Sequence, residues 1–149
     1  MKLWRVSRHV DLEGEGGFYA AGRWHHKGRP VIYASEHAAL AIIEFLVNIV
    51  DRALIPSDTT LYSIQIPKDA PMGMIAPGLL PSDWKSQHSL TRELGTEWLD
   101  GISEVVLQVP AATTAGNNFL INPRHPDISR LSIVDRIQPP FDERLMTLK

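Results

Sequence analysis
The chain has 149 residues, which argues for a single domain spanning 1–149 that buries about 70% of the surface its unfolded form exposes. Its 15 basic and 17 acidic residues leave a formal net charge of −2, which disfavours a dedicated nucleic-acid binder relying on excess cations against phosphates. The absence of cysteine removes disulfides, thiolate nucleophiles and thiolate metal sites, and is compatible with a cytoplasmic location.

Residues 2–7 read as a short strand, with Leu3, Trp4 and Val6 apolar. A glycine-bearing loop follows, from Gly14, Gly16 and Gly17 through Gly22-Arg23-Trp24 to Gly28-Arg29-Pro30. Val31-Ile32-Tyr33-Ala34 then reads as a short buried strand. Ser35 is a suitable N-cap, with Glu36 in the first turn, for a helix over roughly 35–50. That helix is apolar on nearly every face, which predicts that it is enclosed. Its stretch from Ala38 to Val50 is interrupted by Glu44 and Asn48 and is too short to cross a bilayer. Nor does the Met1–Arg5 segment carry an apolar signal-peptide core.

Residues 59–66 alternate like a half-buried strand that Pro67 ends. The proline-rich stretch 67–88 reads as irregular, and 89–99 as a helix exposing Arg92, Glu93 and Glu97. Strands are expected at 104–109, 119–122 and 131–137. About five strands and two helices at unequal spacing predict an α+β fold with a mixed or antiparallel sheet around a central buried helix.

Glu44 is the most informative position, because an unpaired carboxylate inside an apolar helix costs several kcal/mol, on the order of that of any buried ion. It therefore needs a partner, and Arg23, Arg29 and Arg5 are the nearest candidates; a purely structural ion pair would satisfy it equally well. Around Arg23 lie Trp24, His25, His26 and Lys27, between glycines that let a ligand approach the backbone. The glycines make neither a dinucleotide fingerprint nor a Walker loop. His25, His26, His37 and Glu44 lack any recognised metal-ligand spacing, so no metal is expected, and no nucleophile elbow is present. Tyr33, ending its strand, offers a ring that can stack on a planar ligand or cap the core.

Taken in order, Leu3-Trp4-Arg5-Val6, Gly22-Arg23-Trp24, Gly28-x-Pro30-Val31-Ile32-Tyr33-Ala34-Ser35, the helix bearing Glu44, Val109-Pro110, Asn118-Phe119-Leu120-Ile121-Asn122-Pro123 and His125-Pro126 resemble the RES family. The resemblance covers nearly the whole chain. It implies a compact ADP-ribosyltransferase-like fold and a toxin that works beside an Xre-type, helix-turn-helix antitoxin. It also implies NAD as substrate, degraded by hydrolysis or phosphorolysis or used to ADP-ribosylate a protein. By the same resemblance, Arg23 would hold NAD near its phosphates or ribose, Tyr33 would flank the nicotinamide, and Glu44 would contact the nicotinamide ribose. Arg5, Ser35 and Asn118 would line the site. Ala111 stands where the family usually has Ser, with Thr113 or Thr114 close enough in sequence to supply a hydroxyl. Three rival readings remain at this level: a RES-like domain that only binds its antitoxin or another protein, a metal-dependent hydrolase, and a nucleic-acid-acting toxin.

Overall fold
The computed structural model describes residues 1–147, which form an α+β domain. The strands are β1 (Lys2–Ser7), β2 (Ile32–Ser35), β3 (Thr60–Gln65), β4 (Met72–Met74), β5 (Val106–Pro110), β6 (Asn117–Ile121) and β7 (Ser132–Ile137). The helices are α1 (Gly16–Tyr19), α2 (Ala38–Leu46) and α3 (His88–Gly101). All seven strands join one sheet in the order β4-β5-β6-β2-β1-β3-β7, with only the β4–β5 pair parallel.

The sheet is uneven in its joints. β1 and β3 pair over six positions and β2 and β6 over four, but β1 and β2 meet only at Trp4 and Ser35. Beyond that rung the two strands separate, and the sheet becomes two half-sheets sharing a seam.

Both faces of the sheet are covered. On one face Leu3, Ile32, Ala34, Tyr62, Ile64, Phe119 and Ile121 form a continuous core with Leu131. On the other, α3 and the 84–86 turn cover the β5–β6 half through Trp24, Trp84, Leu99, Leu107 and Leu120. α2 covers the β1–β3 half through Ala41 against Val6 and Leu61. This accounts for β3, whose first five residues are all buried although their alternation predicts one wet face. A strand between two partners with cover on both faces has no solvent side.

Three further expectations are corrected. The 67–88 stretch is not wholly irregular: Met72-Gly73-Met74 pairs with β5, in a segment with no alternating pattern and Pro71 before it. The second helix starts at Ala38, not at 35, and its N-cap is His37, whose Nδ1 accepts from the Leu40 amide at 3.2 Å. Ser35 stays in β2 because it pairs with both Trp4 and Asn118. Nor is α2 enclosed: only Leu40 and Ala41 are buried in it, while Ile43 and, beyond its end, Val47 and Val50 are exposed.

Gly95 explains how α3 lies so close to the 22–26 loop. A Cβ there would sit 1.7 Å from the Trp24 carbonyl oxygen, so a residue without a side chain is required. Thr91 Oγ1 donates to the Arg23 carbonyl at 2.6 Å and the His26 amide donates to Thr96 Oγ1 at 2.9 Å, stitching the loop along the helix.

Candidate active site
Where the half-sheets separate, a cavity of about 650 Å³ opens, within the range of roughly 300–1,000 Å³ usual for small-molecule sites. Its walls come from β1 (Trp4, Arg5), β2 (Tyr33, Ser35), the 21–24 loop, the C-terminal half of α2, the start of α3 and the 112–118 segment. All six residues singled out in the sequence, Arg5, Arg23, Tyr33, Ser35, Glu44 and Asn118, line it. Glu44 is its sole acid among the described residues, facing a lining that includes Arg5, Arg23, Arg92 and His88.

The Glu44 carboxylate is partnered differently from expectation. Oε1 accepts from Thr113 Oγ1 at 2.7 Å and from Asn118 Nδ2 at 2.9 Å. Among the described residues Oε2 takes no hydrogen bond from the protein. Among the described residues no arginine pairs with it. Arg23 Nη1 donates to the Lys85 carbonyl at 2.9 Å and the guanidinium lies 5.8 Å from the Trp84 ring centroid. Arg29 forms a two-pronged pair with Asp100, and Arg5 Nη1 donates to the Tyr33 carbonyl at 2.7 Å. The reason is exposure: α2 is open on this side, so Glu44 is half-buried and keeps solvent contact, and two neutral donors suffice.

Those donors are themselves fixed. Buried Ser35 donates its hydroxyl to Asn118 Oδ1 at 2.8 Å, which turns the amide's Nδ2 towards Glu44. Asn118 faces Ser35 because the β2–β6 register pairs them. Ala111 is buried away from the lining, and the hydroxyl that this segment brings to the cavity belongs to Thr113.

Tyr33 belongs to a second network. Its Oη accepts from the Trp24 amide at 3.1 Å and lies 2.7 Å from His25 Nδ1. Nδ1 also accepts from the Gly22 amide at 3.1 Å, whereas Nε2 is 3.3 Å from the Gly17 carbonyl. Two donors on Nδ1 and an acceptor at Nε2 assign the ring proton to Nε2, so the Tyr33 hydroxyl donates to the histidine. Burial pushes the Tyr33 phenol well above its ordinary value, and burial likewise holds His25 below the usual imidazole range. Gly22 sits against the phenol: a Cβ would come within 2.4 Å of Oη.

Sequence reasoning missed Arg92 and His88 as lining residues and assigned Arg92 to an exposed face. They share one face of α3 at four-residue spacing, and Arg92 is half-buried with its Nε donating to the Gly22 carbonyl at 2.9 Å. The spacing was visible; the wall that the face meets was not. The histidines do not converge: among the described residues no group of three or more His, Asp or Glu side chains is placed to hold a metal ion.

Comparison with known proteins matches the chain to the RES domain over residues 2–142. A protein named Toxin Res from Pseudomonas putida is 40% identical over 135 residues, spanning 89% of this chain and 92% of its own. Another Toxin Res, from Photorhabdus laumondii, is 34% identical and spans 100% of this chain and 99% of its own. A Prs ADP-ribosylating toxin from a Sphingobium species is 30% identical over 84% of each chain. Among solved structures, the M. tuberculosis MbcT–MbcA toxin–antitoxin complex contains a similar chain, with a TM-score of 0.72 at 19% identity over 92% of this chain and 82% of that one. The fold is thus shared well beyond recognisable sequence, and the match across residues 2–142 makes this chain a member of the RES domain family.

Proposed function
We propose that this protein is the toxin of a toxin–antitoxin pair and consumes NAD by breaking its nicotinamide–ribose bond, with water, phosphate or a protein side chain accepting the ADP-ribose. The observation that carries the proposal is the cavity at the seam, where one fixed carboxylate faces a lining with three arginines. The names of the relatives from Pseudomonas, Photorhabdus and Sphingobium support the same reading.

The chemistry needs a counter-charge at one place. The C1′–N bond breaks with its electron pair passing to the pyridinium nitrogen, so nicotinamide leaves neutral and positive charge develops on the ribose. Glu44, held through Oε1 by Thr113 and Asn118, presents Oε2 to that ribose as a preorganised electrostatic partner. The acceptor then bonds to C1′ and releases a proton. The ring of Tyr33 supplies an apolar face for the nicotinamide, while its hydroxyl is spent on His25 and Trp24. Arg23 adds positive charge for the phosphates. An antitoxin is the proposed partner, since the structural neighbour was solved as a toxin–antitoxin complex, and the RES resemblance makes an Xre-type helix-turn-helix protein the proposed kind.

The test is release of free nicotinamide from NAD by purified protein without antitoxin. Glu44→Gln is expected to keep the wild-type melting temperature and lose nicotinamide release; undiminished turnover by that variant would overturn the role. Mass spectrometry of the products with and without phosphate, and with lysate as acceptor, identifies the acceptor.

A further inference from the structure
The cavity is charged unevenly along β2. Ser35 leads through Asn118 to the Glu44 carboxylate. Two residues away on the same face, about 7 Å at strand spacing, Tyr33 has arginines beside it: Arg5 Nη1 donates to its carbonyl, and Arg92 Nε donates to the carbonyl of Gly22, whose amide shares His25 Nδ1 with the Tyr33 hydroxyl. The Glu44 carboxylate is thus tied to the Ser35 rung of one cavity, and Arg5 and Arg92 to the neighbourhood of Tyr33.

The three arginines are not equivalent. Arg5 spends the terminal nitrogen Nη1 on the Tyr33 carbonyl, and Arg23 spends its Nη1 on the Lys85 carbonyl. Arg92 is anchored by Nε to the Gly22 carbonyl, and among the described residues neither of its terminal nitrogens takes a protein partner. Its anchor fixes the plane of the guanidinium and leaves the two-nitrogen fork, the geometry that meets phosphate oxygens in pairs. The side chain starts from a rigid helix whose approach to the loop is set by Gly95. His88, one turn earlier, extends the same wall.

We infer that Arg92, which no sequence motif marks, is the diphosphate-binding residue of this site, gripping the ligand at the α3 wall while the ribose next to the leaving group reaches Glu44. This rests on the dinucleotide reading given above. Arg23 contributes charge to the same subsite from the loop side.

Calorimetric titration with ADP-ribose, which keeps the diphosphate and lacks nicotinamide, tests it at two salt concentrations. Wild type is expected to bind, Arg92→Gln to bind at least tenfold more weakly with a flatter salt dependence, and Arg92→Lys to recover part of the loss. Melting temperatures of the variants report whether the Gly22 anchor matters to folding. Equal ADP-ribose affinity in wild type and Arg92→Gln overturns the inference. So does a loss in Arg92→Gln with wild-type salt dependence, because that pattern marks a contact that shapes the loop without meeting the anion. Absence of ADP-ribose binding by wild type instead strikes the dinucleotide reading itself.

Discussion
Glu44 works as a positioned group because three side chains act in sequence upon it. Ser35 orients Asn118, and Asn118 with Thr113 orients the carboxylate. Removing the Thr113 hydroxyl deletes a hydrogen bond to a charged acceptor, about 1.5–3 kcal/mol at full strength and less at this exposed position. Thr113→Ala is therefore expected to lower kcat/KM for NAD about tenfold, with Thr113→Ser restoring it; steady-state nicotinamide release measures both. His25 carries a different consequence. Burial lowers its pKa in the folded protein below the 6.5 of an unfolded chain, so the unfolded state takes up a proton first as pH falls. Its contribution to stability is complete above about pH 6.5 and is lost as the pH falls towards the lowered folded value. Melting temperatures between pH 7.5 and 5 should decline below about 6.5 in wild type, and the part due to this group should be missing in His25→Gln.

At the scale of elements, α3 and the 22–26 loop behave as one piece, since Gly95, Thr91 and Thr96 hold them together. Gly95→Ala drives a methyl group into the Trp24 carbonyl and is expected to cost about 3 kcal/mol, the upper part of the usual overpacking range. For a domain of this size that lowers the melting temperature by roughly 6–12 °C, and scanning calorimetry measures it. The same elements show what the sequence made legible. β1 was readable to the residue, because Leu3 and Val6 follow a plain apolar pattern and Ser7 ends it. α2 was readable as a helix but not in its burial, since periodicity reports how apolar a face is, not whether another layer covers it. Glu44 stood out in the sequence as a charge in an apolar run and does line the cavity, but the enclosed helix and arginine partner expected for it are absent among the described residues, because the openness of α2 is a tertiary property. β4 carried no signal; three residues paired to one parallel neighbour are held by the neighbour alone.

The molecule as a whole places its cavity between half-sheets that share a single strand rung on this side and a continuous apolar core on the other face. β1, β2, α2 and α3 all contribute walls, so a ligand seated there bridges both half-sheets. ADP-ribose at a hundredfold excess over its Kd is expected to add about 2.7 kcal/mol to stability, raising the melting temperature by roughly 5–11 °C, as thermal-shift measurement can record. The gathering of Arg5, Arg92 and Asn118 was only partly legible in advance, because residues so far apart in the chain meet through strand order. That order, with β2 beside β6 and only one rung to β1, has a further consequence. A gap made by parting strands has main chain along its lips, where carbonyl groups survive every substitution and amide N–H groups all but a change to proline. Arg5 occupies one such carbonyl, on Tyr33, in place of the amide a neighbouring strand would have offered. The edges of this cleft therefore offer a ligand polar contacts that persist while the side chains around them vary, so a portion of the recognition surface is inherited with the fold itself.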